Sequence, residues 1–141
     1  NLDVNQRNTR NYQEYYWGES PTIPRNQGNF SGRERGVPTA YKIRDYVDAH
    51  DGLAPVGSYR MNTNGLYDLD GNATEWIHNH ETTESDEYAY LNQFGRETGI
   101  RHMIKGGSYK SYDLKTLKLS YESTLLGARD DVGFRIARSI Q

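Results

Sequence analysis

Four oxygen-bearing side chains fall within eight residues in the run Gly65-Leu66-Tyr67-Asp68-Leu69-Asp70-Gly71-Asn72-Ala73-Thr74-Glu75-Trp76. They are Asp68, Asp70, Asn72 and Glu75, and Gly71 among them permits a tight turn. Such a density of carboxylate and amide oxygen suits a hard cation. Ca²⁺ takes six to eight oxygens at about 2.3–2.6 Å, mixing side chains with backbone carbonyls. The run is not an EF-hand loop, because Glu75 closes it seven residues after Asp68 and that loop needs eleven. Chemistry alone leaves a solvated acidic turn as the plainer reading. Directly afterwards, His78 and His80 flank Asn79. In extended chain their imidazoles point to one side, as a transition metal requires. Sequence places no third ligand, although Glu81, Glu84 and Asp86 are near, so two solvated histidines are the plainer reading. His50 and His102 are isolated, and Ser108, Ser111 and Ser120 have no adjacent His-Asp pattern.

The elements that must position these groups are short. The chain has 141 residues, the size of one domain. Hydrophobic residues make up only 34%, yet there are 14 Gly and 12 Tyr. That mixture predicts a loop-rich fold packed by aromatic side chains. A net charge of −2 with no Lys/Arg stripe gives no footprint for nucleic acid. No apolar run approaches the roughly 18–20 residues of a membrane span, and no signal-peptide pattern opens the chain. With no cysteine, the chain can form no disulfide, thiolate metal site or thiol nucleophile. Residues 1–36 read as irregular chain pinned by Tyr15, Tyr16 and Trp17, the first 14 being an extension. Periodicity predicts a short helix over 38–50, with Ala40, Ile43 and Val47 on one face, and another over 86–94 capped by Ser85. Strands are expected over 56–60, 100–105, 114–121 and 132–138. The class is α+β with little regular structure.

Seven short runs carry a family resemblance. They are Tyr16-Trp17-Gly18-Glu19, Asn29-Phe30-Ser31-Gly32, Ala54-Pro55-Val56-Gly57-Ser58-Tyr59, Asn64-Gly65-Leu66-Tyr67-Asp68, Gly71-Asn72-Ala73-Thr74-Glu75-Trp76, Lys105-Gly106-Gly107-Ser108-Tyr109 and Val132-Gly133-Phe134-Arg135. In this order they resemble the motifs of formylglycine-generating-enzyme-type (sulfatase-modifying-factor) domains. The resemblance implies that family's loop-rich α+β fold, distantly like a C-type lectin. It implies a structural Ca²⁺ held by the side chains of Asp68 and Glu75 and the carbonyls of Gly71 and Ala73. It implies a second Ca²⁺ at Asn29, the Phe30 carbonyl, Asp48 and the His50 carbonyl. Asp48 stands six residues before Ala54, the family spacing, while Ala49 replaces the family's usual Gly.

The family's two catalytic cysteines, which bind copper and oxidise a substrate cysteine, correspond to Ser111 and Thr116. Neither hydroxyl is a soft ligand for Cu(I), so no copper is expected and formylglycine generation is not. Tyr109, Tyr112 and Tyr121 match the region of the family's cleft and are candidate ligand contacts. Complete domains of the family are near twice this length, so residues 1–141 correspond to one domain or to the C-terminal half of one. The resulting expectation is a catalytically inactive, calcium-stabilised binding or scaffold module. Its partner would be a protein or peptide, the missing N-terminal half, or another chain of an assembly. The alternative is an enzyme of different chemistry in the same cleft, of non-haem-iron or tailoring oxidoreductase type. A calcium requirement favours a periplasmic or secreted setting.

Overall fold

The computed structural model describes residues 13–62, 64–81 and 101–138. Its regular structure is one four-stranded sheet with strand order β3-β2-β1-β4. The strands are β1 (Thr74–His80), β2 (His102–Lys105), β3 (Ser123–Leu125) and β4 (Val132–Gly133). β2 runs antiparallel to both β1 and β3, while β4 lies parallel to β1. Thr74, Trp76 and Ile104 read as strand because β-branched and aromatic side chains fit a half-buried pleated surface. Ile104, at the sheet centre opposite Trp76, is fully buried.

The rest of the described residues form loops and two 3₁₀ turns, held by rings. Tyr15, Phe30, Tyr46 and Leu117 form the buried cluster, with Trp17, Ile23, Ile43 and Leu114 packed against it. Tyr15 stacks on Trp17 at 4.8 Å, Trp17 meets Phe30 edge-on at 6.3 Å, and Phe30 meets Tyr46 at 5.6 Å. Aromatic contacts of this kind add about 0.5–1.5 kcal/mol each beyond the area they bury. Tyr46 also donates its hydroxyl to the Gly28 carbonyl, and burial pushes its pKa up to about 12. It therefore stays a neutral strut.

Several expected elements are different in the structure. The helix over 38–50 is a single 3₁₀ turn, Thr39–Tyr41. Its continuation is pre-empted because Ile43 N–H donates to the Ser31 carbonyl (2.7 Å) and Arg33 N–H to the Tyr46 carbonyl (2.9 Å). Val47 is consequently exposed while Tyr46 turns inward. The strand over 56–60 is a turn, with Val56 exposed and only Tyr59 buried. The strand over 114–121 is a 3₁₀ turn, Leu114–Leu117, started by Asp113, whose carboxylate accepts from Lys115 N–H. Such local capping by Asp competes with extended structure. The strand over 100–105 is present as β2, and that over 132–138 stops at Gly133. β1 and β3 were not expected. The helix over 86–94 lies outside the described residues, and the irregular reading of 1–36 holds for 13–36, which carry no helix or strand.

Candidate functional site

The acidic run turns sharply before it enters β1. Asp68, Gly71 and Asn72 all have left-handed backbone, with φ of 53°, 91° and 66°. Gly71 is required twice over, since a Cβ there would stand 2.8 Å from the Asn29 nitrogen. The turn is tied down by Asn72. Its Oδ1 accepts from Ala54 N–H (2.9 Å) and Asn29 Nδ2 (3.1 Å), and its Nδ2 donates to the Ala54 carbonyl (3.2 Å). Its own N–H donates to the Asn29 carbonyl, and its carbonyl accepts from Tyr109 N–H. One buried residue thus ties the stretches around Asn29, Ala54 and Tyr109 to this turn.

The carboxylates divide their work. Asp68 accepts from Gly57 N–H at 2.6 Å through Oδ2, while its Oδ1 is buried without a protein partner. Asp70 accepts from Gly107 N–H at 2.9 Å, and its Oδ2 is likewise buried and unpartnered. Burial raises the Asp70 pKa to about 7, against the lowering effect of the Gly107 and Gly71 amides. Glu75 is gripped by Arg135, which donates from Nη2 at 2.6 Å and from Nε at 3.1 Å. The same guanidinium donates to the Tyr67 carbonyl at 3.0 Å. Arg135 thus binds the Glu75 carboxylate and reaches the Tyr67 and Asp68 backbone carbonyls.

Asp48 lies against the Asn29-Phe30 stretch. Asn29, fully buried, donates Nδ2 to the Gly52 carbonyl at 2.8 Å and keeps Oδ1 buried and unpartnered. Asp48 accepts from Phe30 N–H (2.8 Å) and His50 N–H (2.9 Å), one through each oxygen. The His50 ring turns away to the Tyr59 hydroxyl at 2.9 Å. Ala49 has φ 88°, a glycine-like conformation. Among the described residues no group of three or more His, Asp and Glu side chains is placed to hold a metal. A cation at either cradle would thus rely on amide and carbonyl oxygens beside one or two carboxylates, the mixed set that Ca²⁺ accepts. The orphaned Asn29 and Asp68 oxygens fit that role.

A cleft of about 430 Å³ opens beside β2. It gathers Ser111, Thr116, Tyr112 and Tyr121, together with Ser108, Lys110, Arg129 and Asp131. Ser111 Oγ accepts from Ser108 N–H at 3.0 Å, and Thr116 Oγ1 donates to the Asp113 carbonyl at 2.7 Å. Ser108 Oγ donates to the buried Asp131 at 2.7 Å, and Arg129 pairs with the same carboxylate. Burial works against the Asp131 charge, but Arg129 and Ser108 outweigh it and hold its pKa below the usual range. Tyr109 is not part of this lining. Its ring lies under the Arg35 guanidinium at 4.9 Å, with Lys110 at 5.4 Å. Sequence reasoning missed Arg129, Asp131 and the Arg135 clamp. The only signal was their position beside the Gly-Phe-Arg run.

Comparison with known proteins supplies the family. The family model for the sulfatase-modifying factor enzyme 1-like domain matches residues 2–140. The chain belongs to that family. It is 34% identical over 103 residues to the formylglycine-generating enzyme of Streptomyces coelicolor, covering 70% of this chain and 31% of the relative. It is 33% identical over 94 residues to the formylglycine-generating enzyme of Bos taurus, covering 64% of this chain and 25% of the relative. This sulfatase-modifying-factor-like chain thus spans under a third of the length of those relatives. In fold it is similar to PvdO from Pseudomonas aeruginosa (20% identity, TM-score 0.57, 83% of this chain and 44% of that one). It is also similar to CarF (23% identity, TM-score 0.53, 84% and 35%). The loop-rich α+β architecture implied by the motifs is the observed one.

Proposed function

We propose that this chain is a binding or scaffold module of the sulfatase-modifying-factor family, held together by structural calcium and without formylglycine-generating chemistry. The observation that carries the reading is the pair of hydroxyls, Ser111 and Thr116, in a chain with no cysteine. Both are engaged locally, one accepting from a backbone amide and the other donating to a carbonyl. Neither supplies a thiolate to copper or a sulfur for a mixed disulfide with substrate. Asp68 and Glu75 with the Gly71 and Ala73 carbonyls would hold one calcium ion. Asn29 and Asp48 with the Phe30 and His50 carbonyls would hold the other. Bound calcium would supply fixed positive charge that neutralises orphaned oxygens and cross-links loops distant in sequence.

Tyr112 and Tyr121 are partly exposed above a floor of serine and threonine hydroxyls, which suits contact with a peptide or protein. Phe134 and Ile136 stand 77% and 88% exposed just beyond β4. Apolar groups so placed support a polypeptide partner on that flank, such as the remainder of a family domain. Calcium sites of moderate affinity function where the ion is abundant, which supports a periplasmic or secreted setting.

A second reading rests on the Ser108–Asp131 hydrogen bond within the cleft. It favours an enzyme of another chemistry, yet no histidine stands among the cleft residues to relay the serine proton. The test is incubation of the purified protein with a cysteine-containing sulfatase peptide, copper and oxygen. Unchanged peptide, together with peptide or protein capture that Tyr112→Ala and Tyr121→Ala weaken, supports the binding module. Conversion of the cysteine contradicts it.

A further inference from the structure

The geometry points to a transition-metal site at His80 and His102, for a borderline cation of the Zn²⁺ class, separate from the oxygen cradles. The two residues are register partners across β1 and β2. Their rings lie 4.0 Å apart between centroids, tilted by 44°. Trp76 meets His102 edge-on at 5.6 Å, so the His102 ring sits between Trp76 and His80 on one face of the sheet. The backbone under the pair is pinned on its outer side. Glu81 N–H donates to the Arg101 carbonyl at 3.0 Å, and the two side chains form an ion pair at 3.8 Å. Glu81 and Arg101 therefore hold the two strand ends together directly beyond the histidines.

Neutral imidazole nitrogen is the ligand that zinc takes at about 2.0–2.1 Å. Two rings bound to one tetrahedral ion have centroids about 5 Å apart, so the pair need open by only about 1 Å. Each ring keeps a second nitrogen for an outer partner, which is the usual arrangement of a metal-bound histidine. His102 is exposed and His80 half-buried, so an ion reaches them from solvent. With no three-residue cluster among the described residues, water would complete the coordination. The ligand softness separates this site from the others, because imidazole suits zinc, nickel and copper while carboxylate and carbonyl oxygens suit calcium. A bound ion would cross-link two points well apart in sequence, where such a clip contributes most.

Zinc chloride titrated calorimetrically into the full chain, with calcium already saturating, tests the site. One zinc is expected to bind. His80→Gln and His102→Gln should each weaken it at least about tenfold, the least that losing even an outer partner costs. His78→Gln, on the exposed neighbour, should leave it intact. Zinc should also protect His80 and His102 of the unaltered chain from diethyl pyrocarbonate, and leave His50 and His78 unprotected, which needs no variant to fold. Absence of zinc binding, binding indifferent to both substitutions, or equal modification of His80 and His102 with and without zinc overturns the assignment.

Discussion

Ala49 carries a β-carbon at φ 88°, where L residues other than Asn and Asp are strained. It sits between Asp48 and His50, so the strain lies inside one of the proposed calcium cradles. Ala49→Gly should relieve it and stabilise the fold by about 1 kcal/mol, read as a shift in the urea midpoint with unchanged slope. Asp70 gives a pH signature. Its folded pKa of about 7 stands well above the ordinary 3.8, so between those values the folded chain binds more protons than the unfolded one. Stability from this group is complete below about pH 4 and is lost as pH rises towards 7. In calcium-free buffer, Asp70→Asn should flatten the fall of Tm between pH 4 and 7.5. Parallel curves for the two proteins would contradict the assignment. At this scale the sequence was legible by type but not by partner. Asp68 and Asn72 stood out as oxygen donors, yet Asn72 is a hydrogen-bond hub whose partners Asn29 and Ala54 lie 43 and 18 residues away.

Elements here are short because loops capture each other's backbone groups. The stretch after Tyr41 gives its hydrogen bonds to Ser31 and Arg33, so helix periodicity around Ile43 has no helix to describe. Asp113 starts a 3₁₀ turn where alternation alone suggested a strand. β1 was hidden for the opposite reason: Glu75, His78, Asn79 and His80 look like loop residues, and pairing with both β2 and β4 makes them strand. The Gly-Gly step after β2 was legible as a motif, and the structure supplies its cause. A Cβ on Gly107 would stand 2.5 Å from Leu117 Cδ2 and 3.0 Å from the Asp70 carboxylate. Gly107→Ala should therefore cost about 1–3 kcal/mol by overpacking the core, measured by thermal or urea unfolding. A change below a few tenths would mean that β2 and the Leu117 turn do not pack as described.

Across the whole molecule, a small sheet and a ladder of four rings, Tyr15, Trp17, Phe30 and Tyr46, hold a chain that is mostly turns. The motif order made this architecture readable, because each run of Gly, Asn and aromatic residues marks a place where two loops touch. The Arg135–Glu75 clamp and the Ser108–Asp131 bond were not readable, since each joins residues far apart with no local pattern. Among the described residues three buried oxygens, on Asn29, Asp68 and Asp70, lack protein partners, and two of them lie in the proposed calcium cradles. Each unmet buried group costs on the order of 1–3 kcal/mol, so an ion that meets them should be visible in stability. The most direct measurement is the melting temperature of the full chain in calcium against chelator, with the metal content of the purified protein determined alongside. Up to two calcium ions per chain and a Tm that drops by several degrees in chelator, restored by calcium and blunted in Asp68→Ala and Asn29→Ala, are the predicted results. A calcium-free protein whose melting is indifferent to chelator would contradict the account.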